Sequence, residues 1–145
     1  AGAVSEEVKK SLEKFHLILN CEFLGYVSHL EAIKMQHQSQ ILLLVEINSS
    51  ETRALIPGKL FEYLAAKRPI IAFGPKESDI EEIINETKSG RFFDYGDEDK
   101  LKAEILLLYR QFKKGNLEIT SVGIEKYNRR ELTKQMASLI LNSEF

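Results

Sequence analysis

The sequence is poor in the residues that staple or metallate small proteins: one cysteine and three histidines in 145 positions. A lone Cys21 excludes an internal disulfide and any metal cluster built on several thiolates. It lies in the apolar run Cys21-Glu22-Phe23-Leu24 and is expected to be a buried, inert thiol. His16, His29 and His37 show no HExxH-like spacing, so no metal site is expected. No apolar stretch approaches the length of a membrane span and no signal peptide opens the chain, which gives a cytoplasmic expectation without a transmembrane segment. Neither charge dominates: 20 Lys and Arg stand against 22 Asp and Glu, a net charge of −2. That balance excludes a dedicated nucleic-acid binder. The basic pairs Lys113-Lys114 and Arg129-Arg130 fall where helix ends and solvated helix faces are expected. There is no internal repeat and no low-complexity linker, and the length suits one domain with a real core.

What is present is an alternation of short apolar runs with helical patterns. Ser5 predicts a helix start, with Glu6 and Glu7 in its first turn and Val8, Leu12 and Phe15 on one face. Residues 21–24 read as a strand ended by Gly25. Ser28-His29-Leu30-Glu31 is a capping box opening a helix towards His37. The uninterrupted run 41–45 predicts a parallel strand covered on both faces. A polar loop from Glu46 to Ile56 follows, then Pro57 suits the first turn of a helix through Ala66. Residues 69–73 predict a second buried strand, stopped by Gly74-Pro75. Ser78-Asp79-Ile80-Glu81 caps the next helix, and 90–95 reads as a shorter edge strand. Leu101, Ile105, Leu108, Tyr109 and Phe112 predict an amphipathic helix over 98–114. Asn128 to Glu131 caps a last helix, with Leu132, Met136, Leu139 and Ile140 inward. The expected fold is α/β: a Rossmann-like, open, mainly parallel sheet containing Phe23, Leu42, Leu44, Ile70 and Ala72, flanked by helices on both faces. Such sheets bind ligands beyond the C-terminal ends of their strands, here the loops after Leu24, Val45 and Phe73.

The segment richest in chemistry is Ile56-Pro57-Gly58-Lys59-Leu60-Phe61-Glu62. A glycine at a helix start lets a phosphate approach the free amides, and the helix dipole favours the anion. Lys59 adds a mobile positive charge, and Glu62 falls one turn after Gly58 on the same face, where a carboxylate accepts from two vicinal ribose hydroxyls. On spacing alone, a surface helix with a Pro-Gly start and a Lys/Glu pair fits equally well. This is not a Walker loop, since Leu60 follows Gly58-Lys59.

The runs GYVSHLEAI, QILLLVE, IPGKLFEYLAAKRPIIAFGP and EEIINETKSGRFF, between Tyr26 and Phe93, resemble the C-terminal domain of group 1 glycosyltransferases with the GT-B fold. The most specific of them is PGKLFEYLAAKRPI. The resemblance implies half of a two-domain enzyme: residues 1–145 as one domain holding a nucleotide-diphosphate sugar for transfer to an acceptor on an N-terminal domain outside this sequence. Glu62 then binds the ribose, the helix start at Pro57, Gly58 and Lys59 faces the diphosphate, and Gly25, Tyr26 and Val27 lie near the base. The implied small-molecule partner is the nucleotide-sugar donor, no metal cofactor is required, and no residue of this half is catalytic. Eight positions before Glu62, where the family has a second glutamate, stands Ala54; Glu51 is the nearest substitute. The family's upstream Arg/Lys pair and first strand would precede Ala1, so the chain alone is expected to be inactive. A bacterial enzyme of polysaccharide synthesis, touching the membrane peripherally, fits this picture.

Two other classes fit the alternation. One is a non-catalytic interaction domain with a decayed nucleotide site, which Ala54 supports. The other is a receiver-like signalling domain, for which Lys67-Arg68-Pro69 speaks. It needs an Asp ending its central strand, and Glu46 follows the run 41–45 instead.

Overall fold

The computed structural model of the protein describes residues 2–142. It divides into two compact units, Ala1–Met35 and Gln36–Phe145.

In the first unit, α1 (Glu6–Lys14) starts where Ser5 accepts from the Val8 amide at 3.3 Å. A 3-10 turn, Ile18–Asn20, follows. Residues 21–24, expected to be a strand, are irregular, and Cys21 is exposed, not buried. Four residues make a strand only where a ladder accepts them. The one pairing within this unit is the isolated antiparallel bridge of Gly2 with Gly25. Phe23 is therefore outside any sheet; its ring instead lies 5.9 Å from the Lys9 ammonium. α2 (His29–Gln38) carries a complete capping box. The Ser28 amide donates to the Glu31 carboxylate at 3.0 Å and the Glu31 amide to the Ser28 hydroxyl at 3.3 Å. None of the described residues of this unit is buried.

The second unit holds the core. Its three strands, β1 (Leu42–Val45), β2 (Ile70–Phe73) and β3 (Gly90–Phe93), form a parallel sheet in the order β1-β2-β3. The connections are α3 (Gly58–Ala66) between β1 and β2, and α4 (Asp79–Thr87) between β2 and β3. α5 (Glu98–Lys113) follows β3. This is the open, parallel α/β arrangement expected, with helices on both faces. On one face Leu42, Leu44, Ile70 and Ala72 meet Leu60 and Leu64 of α3 and Ile80, Ile83 and Ile84 of α4. Leu44, Leu60, Ile70 and Ile84 are fully buried, each contributing about 1.5–3 kcal/mol. On the other face Ile71 and Phe93 pack against Leu101 and Leu108 of α5.

Both αβ turns bend at a lysine in the left-handed region, Lys67 (φ 53°) after α3 and Lys88 (φ 52°) after α4. Beyond α5, Glu86 of α4 accepts from the Lys126 ammonium and, at 2.8 Å, from the Tyr127 hydroxyl. This ties the 3-10 turn Ile124–Tyr127 to the core. α6 (Arg129–Asn142) ends the described chain, capped by Asn128, whose side-chain oxygen accepts from the Glu131 amide at 2.9 Å.

Two further burial expectations fail. β1 is covered on one face only: Leu43 and Val45 are 57% and 48% exposed, because α5 packs over β2 and β3. The stripe Leu132, Met136, Leu139 and Ile140 on α6 is exposed, from 42% to 75%, not inward. Periodicity defines an apolar stripe but not what covers it, and α6 packs chiefly on its neighbouring turn.

Gly90 lets β3 approach β2. A methyl carbon built on it would lie 1.9 Å from the Ile70 carbonyl oxygen, whereas one on Gly96 meets nothing within 4 Å. Gly90→Ala is therefore expected to cost about 1–3 kcal/mol or more, as overpacking against backbone. Gly96→Ala stays within about 0.5 kcal/mol. Urea unfolding midpoints of the two variants check this; equal midpoints would contradict the close approach.

Candidate functional site

Because all three strands run parallel, α3, α4 and α5 all begin at the C-terminal end of the sheet. Each of these helix starts offers unpaired amides and the positive end of a dipole. Their local sequences make them unequal. At α4, Ser78 accepts from the Glu81 amide at 3.3 Å and the Arg53 carbonyl accepts from the Asp79 amide at 2.9 Å. Asp79, Glu81 and Glu82 also place three carboxylates in its first turn. The capping box read there is modified, since the Glu81 carboxylate takes the Glu77 amide at 2.8 Å. At α5, Asp97 is the N-cap and Glu98 and Asp99 occupy the first turn. An anion is repelled from both.

At α3 Pro57 (φ −70°, ψ 137°) is the N-cap and not part of the first turn, so the helix starts one residue later than expected, and no side chain caps it. Its first turn carries no acidic residue, Lys59 is exposed, and the space beside Gly58 is open. The Leu60 amide turns back to the Pro57 carbonyl at 2.9 Å. Glu62 lies one turn on, half-buried, and its carboxylate accepts from the Gln36 side-chain amide at 2.8 Å. Gln36 thus orients Glu62. Nothing in the sequence pointed to it, as the two are 26 positions apart. Pro57, Gly58, Lys59 and Glu62 are thus brought together on one short helix. Gly25 (φ 61°), Tyr26 (88% exposed) and Val27 (half-buried) belong to the first unit. Ala54 is exposed in the turn after the 3-10 segment Ser50–Thr52, which contains Glu51.

A groove of about 660 Å³ in the second unit lies elsewhere, along the β3 edge between α4 and α5. Its cations are engaged by carboxylates: Lys76 with Asp94 at 3.1 Å, Arg91 with Glu104 at 3.6 Å and Lys100 with Asp97 at 2.6 Å. An anionic ligand there would have to displace them.

At the same end of the sheet Tyr95, from the turn after β3, donates its hydroxyl to the Glu46 carbonyl just beyond β1. Its ring packs 5.9 Å from Phe73, which lies 5.9 Å from Phe93. Burial, then the Glu46 carboxylate, raises the Tyr95 pKa above 10.0.

An open parallel α/β sheet flanked by helices on both faces defines the Rossmann-like class of folds. Within that class the assignment is specific: the family model for group 1 glycosyl transferases matches residues 1–111, and the chain belongs to that family. No curated protein and no solved structure matches it. No helix among the described residues is long and apolar enough to cross a membrane.

Because the folded pKa of Tyr95 is raised, any stability its hydroxyl adds is complete below pH 10.0 and is lost as pH rises through the higher folded value. A difference spectrum of wild type minus Tyr95→Phe should accordingly show one phenol ionising later than free tyrosine. Ionisation at or below the free value contradicts the burial.

Proposed function

We propose that the chain is the donor-binding half of a glycosyltransferase. In this reading the amino end of α3 and Lys59 hold the diphosphate of a nucleotide sugar, and Glu62, oriented by Gln36, takes the ribose hydroxyls. The observation that carries it is the contrast among the three helix starts: α3 alone, among the described residues, combines no side-chain cap, no acid in the first turn and an exposed lysine. Family membership supports the same position, since Pro57 to Ile70 holds the run most specific to the resemblance. The base-side role of the Gly25-Tyr26-Val27 loop rests on the resemblance alone.

Chemically, this half binds and orients; the acceptor is held by a partner domain, and rate enhancement comes from fixing both reactants in one cleft. The leaving diphosphate is stabilised by helix amides and a lysine, an electrostatic role that asks nothing of a metal. Ala54, in the place of the family's second glutamate, favours one other reading: an interaction domain whose nucleotide site has decayed. Calorimetry with UDP, GDP, ADP and dTDP separates the two, since a decayed site binds none.

Lys59 and Glu62 should fail differently. A hydrogen bond to a charged partner is worth roughly 1.5–3 kcal/mol, so either loss weakens nucleotide diphosphate binding about ten- to a hundredfold. Lys59→Ala should spare the bare nucleoside and flatten the salt dependence. Glu62→Gln should weaken nucleoside and nucleotide diphosphate alike. Both are measured in the full-length enzyme, and unchanged affinities in both variants would leave only a structural helix.

The chain by itself is expected to form no glycoside from any sugar nucleotide, because the acceptor half is not part of it. Turnover by residues 1–145 alone, followed by product chromatography, would overturn the division of labour.

A further inference from the structure

The carbonyl of Glu46 stands where the sheet's own chemistry cannot serve it. In the β1–β2 ladder Leu42 pairs with Ile70 and Leu44 with Ala72. The Leu42 amide donates to the Pro69 carbonyl at 2.9 Å and the Glu46 amide to the Phe73 carbonyl at 3.0 Å. Continued by one step, this parallel register puts the amide of residue 75 opposite the Glu46 carbonyl. Residue 75 is proline and has no N–H. The donor comes instead from Tyr95, 49 positions along the chain, whose ring is steadied by Phe73.

Glu46 is the first residue of the loop that leads to α3. The loop is held again at Arg53, whose carbonyl accepts from the Asp79 amide at 2.9 Å and whose guanidinium lies 3.5 Å from the Glu77 carboxylate. That ion pair is largely exposed and adds little. Between the anchors the Thr52 hydroxyl closes a turn on the carbonyls of Ile47 and Ser49, at 2.9 and 2.8 Å. The geometry points to Tyr95 as a positioning residue: its hydroxyl latches the start of the 46–56 loop and thereby sets where the amino end of α3 presents its amides. The inference rests on the donor-site reading above and adds to it a residue that acts through the loop, not on the ligand.

The test compares wild type with Tyr95→Phe, which keeps the ring and removes the donor, in the full-length protein. Two readouts are taken: amide hydrogen exchange, and calorimetric affinity for UDP, GDP, ADP and dTDP with the matching nucleosides. Loss of one hydrogen bond is expected to speed exchange across 47–56 by about two- to tenfold. Exchange in β2 should stay as in wild type. Affinity for the nucleotide diphosphate that binds should fall by a similar factor, with the nucleoside less affected. Pro75→Ala, which returns an amide to the ladder, should recover loop exchange and affinity in the Tyr95→Phe background.

Unchanged loop exchange in Tyr95→Phe, or loop and β2 amides accelerating together, overturns the latch. Faster loop exchange with unaltered nucleotide affinity overturns its role in positioning. Absence of any nucleotide binding by wild type is a separate result. It overturns the donor reading and the positioning role with it, while the exchange comparison still decides whether Tyr95 holds the loop.

Discussion

The parallel pairing of β2 with a strand on each side is the constraint from which the rest of the molecule follows. Parallel neighbours cannot be joined by a tight turn, so each strand must be followed by a crossover helix that starts at one end of the sheet. Three helix starts are thereby gathered at that end, and the two αβ turns at the other. The buried side chains of Leu42 and Leu44 help hold this register, because a slip of one residue would carry them from the covered face of β1 to its exposed one. Gly90 narrows the tolerance further, since only a residue without a side chain admits the Ile70 backbone at that distance.

Given three equivalent dipoles, the side chains decide which one is left for a ligand. A charge near a helix end is worth roughly 0.3–1 kcal/mol. The three acids in the first turn of α4 and the two in that of α5 together outweigh what either amino end offers an anion. At α3 the proline N-cap leaves the amides uncapped and Lys59 adds to their pull. The groove along the β3 edge, by contrast, is lined by charges already paired with one another. Electrostatic availability, not cavity size, separates the two places.

Much of this was legible in the sequence because it is local. Ser5, Ser28, Ser78 and Asn128 each cap a helix as their spacing to the following residues dictates. The continuous run of β2 likewise announces a buried strand, whereas that of β1 belongs to a strand covered on one face only. What could not be read is whatever depends on a distant partner. Residues 21–24 have the composition of a strand but no ladder to join, so Cys21 and Phe23 are exposed. Leu43, Val45 and the α6 stripe are apolar by period, and period is silent about cover. The candidate site divides the same way: Gly58, Lys59 and Glu62 sit within a turn of one another and were legible. Gln36 beside Glu62, and Tyr95 on Glu46, are contacts across 26 and 49 positions that no spacing rule encodes.

The two left-handed lysines bear on how such a unit can change. A non-glycine residue in that conformation holds of order 1–2 kcal/mol of backbone strain. Lys67 and Lys88 sit at the end of the sheet opposite the helix starts. They are the C-cap residues of α3 and α4, so each places a lysine at the negative end of a helix dipole. Glu77 (φ 58°), in the turn between β2 and α4, holds the same conformation at the end where the helices start, so strained backbone stands at both ends of the sheet. At each of the three positions a glycine would relieve the folded backbone while loosening the unfolded chain, so stability can drift there in small steps of opposite sign.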